Sequence, residues 1–220
     1  MNKKTNIHAG PNSQLHHYKV QRENTSATHM ANTFITQQRD SMVALTNISI
    51  GAKFSRDDVL VKLQETGAEC RTAGFYRLES DNQYIDQHIT IDHAAPHSRS
   101  EMVYKGVLDK KSRAVFNGRL HVGVGAQKIE AQQQNHNLLL SNFAEIYSKP
   151  ELEIYSDDVK CKHGATTGQL DQDALFYLRA RGIEKTEAVS LLLHAFAADI
   201  YQKITNADIR MHIEAAVDNR

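Results

Sequence analysis

The chain has 220 residues, with 26 basic and 26 acidic side chains, so its formal charge is zero and no Lys/Arg block marks a nucleic-acid footprint. That length buries a real core without cross-links. Its two cysteines, Cys70 and Cys161, exclude a disulfide framework and a four-thiolate metal site within the chain, and their scarcity points to a reducing compartment, with the cytoplasm expected.

Residues 1–14 carry Lys3, Lys4 and Pro11 but no apolar stretch of the kind a secretory signal needs, and they are expected to form a loose leader. From residue 15 to residue 168 the texture is one of short β-prone runs separated by polar or glycine-bearing breaks. The runs are Leu15–Val20, Thr33–Thr36, Met42–Ile50, Gly74–Leu78, Tyr84–Ile91, Met102–Leu108, Ala114–Val122 and Leu152–Val159. Asp57–Leu63, with Val59, Leu60 and Leu63, reads equally as a short helix or a connection. The polar run from Gln127 to Asn137 is framed by Ile129 and Leu138 and reads as a turn between strands. Closely spaced strands without long intervening helices favour an all-β body. Composition leaves sandwich, barrel and solenoid open, and no exact period is visible.

After Gly168 the pattern becomes helical. Asp171 is placed to cap a helix from Gln172 to Arg181, closed by Gly182. A second helix begins near Thr186, with Ala188, Leu191, Leu192, Ala195, Phe196, Ile200 and Ile204 forming one apolar stripe. A third runs from Asp208 to Val217. Residues 169–220 are therefore expected to form a helical region. The most apolar window, Val189 to Ile200, holds His194 and Asp199 and is too short to span a bilayer, so no membrane association is expected.

Chemistry concentrates at Cys161 and His163. On an extended strand, residues two apart share a face, so the thiol and the imidazole point one way while Lys160 and Lys162 point the other, with Gly164 marking a turn. Such a pair suits Fe, Zn or Cu(I), but it is half a ligand set. A buried free cysteine beside an ordinary histidine is the plain alternative. A Cys-His hydrolase dyad is another, although its members would lie roughly 6–7 Å apart at Cα and spacing singles out no orienting Asn or Asp. Asp157 and Asp158 are the carboxylates that a carbohydrate-active enzyme would use, but adjacent strand residues face opposite sides. His88, His93 and His97 read as solvated turn histidines. Gly123–Lys128 fails as a dinucleotide loop and Gly164–Gly168 as a phosphate loop, because Lys128 and Gln169-Leu170 stand at required positions.

The segments around this pair carry a family resemblance. They are Leu138-Leu139-Leu140-Ser141, Lys149-Pro150-Glu151-Leu152-Glu153-Ile154, Asp157 to Thr166, and Leu170-Asp171 with Leu175 to Ile183. Upstream stand Tyr104-Lys105-Gly106-Val107-Leu108, Val115-Phe116-Asn117-Gly118 and Ala131-Gln132-Gln133-Gln134-Asn135. Over about residues 15–204 the chain resembles the SufB/SufD family, most closely the C-terminal half of its SufD branch. The resemblance implies a right-handed parallel β-helix followed by a small helical region. It further implies a non-catalytic scaffold subunit of a SufB-SufC-SufD complex in iron-sulfur cluster assembly. His163 and Cys161 would lie at the SufB-like interface and touch a transient iron or iron-sulfur cluster, with no cofactor held stably. A SufC-like ABC ATPase would dock on the C-terminal helices, where Leu175, Phe176, Leu191 and Leu192 are the apolar candidates, and ATP hydrolysis would belong to that partner.

Overall fold

A computed structural model describes residues 1–218; Asn219 and Arg220, the end of the expected helical region, lie outside the described residues. Twelve strands come first: β1 (Asn2–Ala9), β2 (Gln14–Gln21), β3 (Thr28–Gln37), β4 (Met42–Ser49), β5 (Phe54–Leu63), β6 (Glu69–Leu78), β7 (Tyr84–His93), β8 (Arg99–Leu108), β9 (Arg113–Val122), β10 (Ile129–Leu139), β11 (Glu145–Ile154) and β12 (Val159–Gly168). Odd strands stack in order as one six-stranded sheet and even strands as a second. All neighbours are parallel, so the chain winds as a two-sheeted β-solenoid of about six coils, the architecture that the resemblance implied. Thr28 lies beside Phe54, and Arg113 beside Glu145. A coil therefore takes from 26 residues (28 to 54) to 32 (113 to 145), and this variation hides the period from a search for exact repeats.

The core follows the period-two alternation of strands. Val61, Leu63, Ile89, Ile91, Phe116 and Leu120 point inward and are fully buried. Several inward positions are polar, and the amides and the hydroxyl of Tyr76 find partners within the coil. Gln133 Nε2 donates to the Gly118 carbonyl at 2.9 Å, Asn137 Nδ2 to Asn135 Oδ1 at 2.7 Å, and the Tyr76 hydroxyl to Asn137 Oδ1 at 2.5 Å. The polar run around these amides is thus not a turn but the strand β10, whose amides bond inside the coil. Asp57–Leu63 is likewise neither helix nor connection but part of β5. There Asp57 points inward and accepts a hydrogen bond from Lys19.

Residues 1–14 are not a loose leader. Asn2–Ala9 pairs along its length with Met30–Gln37 of β3, because Ile7 and Ala9 extend the interior apolar cluster by one coil.

Three helices follow among the described residues: α1 (Gln172–Ala180), α2 (Lys185–Tyr201) and α3 (Ala207–Asp218). Asp171 caps α1, its Oδ1 accepting from the Asp173 and Ala174 amides at 2.9 and 3.1 Å. Gly182 beyond it takes φ +85°, the left-handed conformation that glycine adopts without strain. Helices α2 and α3 cover the outer face of the even-strand sheet, burying Leu193, Ala197, Ile200, Ile204, Ile213 and Val217 against Ile48, Phe75, Val103 and Val107. Of the expected α2 stripe, Ala188, Ile200 and Ile204 are buried, but Leu193, Ala197 and Tyr201 complete the buried face, whereas Leu191 and Ala195 are exposed. Among the described residues no helix is long and apolar enough to cross a membrane.

Candidate functional site at the last coil

Strand β12 ends the even-strand sheet and pairs on one side with β10. Cys161 lies beside Ala131, and His163 beside Gln133. Ala131 and Gln133 are buried in the interior, so Cys161 and His163 belong to the same inward row, while Lys160 and Lys162 are exposed beside Glu130 and Gln132. Both inward residues sit on the final coil, where no further strand among the described residues covers them. Cys161 is half-buried against the core, and His163 is exposed. Burial pushes the Cys161 thiol above its ordinary pKa.

The row opposite belongs to β11, where Ile146 and Leu152 pack against the core and Ser148 Oγ donates to Asn135 Oδ1 at 2.8 Å. The surroundings are therefore apolar and amide-rich. Among the described residues no group of three or more His, Cys, Asp or Glu side chains stands ready to hold a metal ion. The pair offers one soft and one borderline donor, and a closed tetrahedral site requires two more. Gln133, buried beneath His163, was missed as a neighbour of this site; the alternation of Gln133, Asn135 and Asn137 was its signal.

Strand β12 does not turn at Gly164. It continues in register to Gly168 opposite Leu138, because an edge strand accepts glycine at a position that no side chain needs to fill. Asp157 and Asp158 lie in the bend before β12.

The other histidines do not join this site. His93 is no solvated turn residue: it is fully buried, with Nδ1 2.7 Å from Ser98 Oγ and Nε2 2.8 Å from Ser100 Oγ. His88 pairs with Asp86 at 2.8 Å on the outer face of β7, and His97 occupies a corner at φ +59°. The four apolar candidates on the helices also divide. Phe176 is 73% exposed and Leu191 46%, Leu192 is half-buried, and Leu175 is 8% exposed. Leu175 is the buried anchor of α1, so it is not available to a partner on this surface.

A parallel β-solenoid flanked by helices, with a thiol and an imidazole on its last inward row, defines the structural class. Residues 1–196 match the family model described as SUF system FeS cluster assembly, SufBD core domain, and the chain belongs to that family. It is 38% identical over 97% of its length to an iron-sulfur cluster assembly SufBD family protein of Synechocystis, covering 47% of that protein. It is 31% identical, again over 97% of its length, to the iron-sulfur cluster assembly protein SufD of Escherichia coli, covering 50% of it. The SufD of Bacillus subtilis is 28% identical over 83% of the chain, which covers 41% of that relative. The chain thus spans about half the length of the curated relatives it matches.

Proposed function

We propose that the chain serves as a scaffold in iron-sulfur cluster assembly, with iron and sulfide as transient cargo rather than as a resident cofactor. It acts with a SufB-like subunit and a SufC-like ABC ATPase in the cytoplasm and performs no turnover of its own. One observation carries this reading: the family match over residues 1–196 includes a strand that sets Cys161 and His163 side by side on an uncovered inward row. Two donors of this type fit half of a coordination sphere, and the remaining ligands come from the SufB-like subunit facing them.

His163 ligates only as a neutral imidazole and Cys161 only as a thiolate, so cargo loading weakens as pH falls. The helical region is the handle for the ATPase. Phe176 and Leu191 offer exposed apolar surface there, Leu192 contributes its partly open side, and Leu175 supports α1 from beneath.

Co-purification tests the reading. Tagged chain expressed with SufB-like and SufC-like subunits is expected to retain both, and Phe176→Asp with Leu191→Asp is expected to release the ATPase while keeping the SufB-like subunit. Retention of neither partner by the unmodified chain overturns the proposal.

A further inference from the structure

Lys105 projects from the outer face of β8 beneath α2 and is only 8% exposed. Its ammonium donates to the Phe196 carbonyl at 2.8 Å and to Asp199 at 2.5 Å, and it lies 4.8 Å from the centre of the Phe196 ring. A buried ammonium persists only when it is paired. Here both acceptors belong to α2, so the seating of that helix and the burial of Lys105 are one event.

The same outer row continues across the sheet. Lys105 lies beside Phe75 of β6 and His136 of β10, and His136 lies beside Thr166 of β12. His136 Nδ1 is 2.7 Å from Thr166 Oγ1. Burial and then the Lys105 charge hold the His136 imidazole below its ordinary pKa, while the Asp199 charge acts in the opposite sense. Beyond its backbone ladder, β12 has few other ties on this face among the described residues. Lys160 to Glu130 is a long contact of 3.8 Å, and the strand is exposed from Lys162 onward.

We infer that the row Phe75–Lys105–His136–Thr166 links the seat of α2 to the edge strand β12, so that the position of the helix sets how firmly the strand bearing Cys161 and His163 is held. With α2 seated, Asp199 neutralises Lys105, Phe75 and Lys105 are buried, and the row runs out to the half-buried His136 and the exposed Thr166 at the sheet edge. With α2 lifted, the uncompensated ammonium turns to water, His136 loses its neighbour, and the contact that fixes Thr166 loosens. The link belongs to the isolated chain; its regulatory meaning, that docking on the helices reaches the cargo strand, rests on the function proposed above.

Hydrogen exchange on the isolated chain, read by mass spectrometry, separates the two. Lys105→Met is expected to speed exchange about two- to tenfold in both α2 and β12, the effect of losing one or two hydrogen bonds in a locally opening segment. Thr166→Val is expected to speed β12 alone, and the double variant is expected to match Thr166→Val in β12, because the row is already cut. Asp199→Asn, which removes only an exposed charge, gives the same pattern more weakly and serves if Lys105→Met does not fold. Lys203→Met breaks the exposed pair with Glu101 and is expected to leave β12 unchanged. Faster exchange in α2 with β12 unaltered in Lys105→Met or Asp199→Asn, or additive effects on β12 in the double variant, would overturn the link whatever the outcome of the co-purification.

Discussion

The ring of Tyr104 on β8 occupies the space that a side chain at Gly74 on β6 would need, a Cβ there falling 2.1 Å from Tyr104 Cε1. The two residues are register partners, and the arrangement is reciprocated one step along, where Tyr76 lies across Gly106. Each tyrosine thus lies flat inside the coil only because its neighbour lacks a side chain. Gly74→Ala forces the ring aside in a filled interior and is expected to cost ~1–3 kcal/mol. Urea unfolding checks this: the midpoint should fall with little change in slope, and Tyr104→Leu in the same chain should recover part of the loss. An unchanged midpoint would show that the coil relaxes freely at this point.

Much of this interior was legible, and the failures share a cause. Leu15–Val20, Met42–Ile50 and Ala114–Val122 are short β-prone runs bounded by polar or glycine-bearing breaks, and they fall on β2, β4 and β9, with Ile50 just past the end of β4. β10 was misread because its inward residues include Gln133, Asn135 and Asn137, so its pattern inverts the usual rule that inward means apolar. β5 failed in the same way at Asp57, whose charge is matched by Lys19 from another coil, a pairing that no local window contains. β1 was missed because its first six residues remain largely exposed, and only its register with β3 defines it. At the candidate site, the shared face of Cys161 and His163 was legible from spacing. The continuation of β12 past Gly164 was not, because glycine is ambiguous between a turn and an edge strand.

His93 makes stability depend on pH. Burial pushes its imidazole down to about 4, against 6.5 when unfolded. Above pH 6.5 the ring is neutral in both states and its contribution is complete. Between pH 6.5 and about 4 the unfolded chain takes up the proton and the folded chain does not, so stability falls as pH falls; below about 4 the dependence ends. The loss across that window is expected to be about 3 kcal/mol. Unfolding free energies from pH 7 to pH 4 should therefore decline less steeply in His93→Gln than in the unmodified chain. Parallel slopes would show that His93 is not the buried titrating group.

The two thiols should differ in reactivity. Cys70 is fully buried, its pKa pushed up to about 12 chiefly by burial, whereas Cys161 is half-buried with a smaller rise. Since the thiolate is the nucleophile, iodoacetamide at pH 8 is expected to modify Cys161 slowly and Cys70 only after denaturation. Peptide mass spectrometry after native labelling reads the order directly, and modification of Cys70 first would contradict its interior placement.

Cluster formation under anaerobic conditions bears most directly on the proposed scaffold role. The chain, combined with SufB-like and SufC-like subunits and supplied with ferrous iron and sulfide, is assayed for iron and acid-labile sulfide retained per complex, beside His163→Ala. The expected result is retention by the unmodified complex and loss in His163→Ala, with subunit co-purification and thermal midpoint unchanged. Equal retention by both complexes would contradict a role for the inward row of the last coil in holding the cargo.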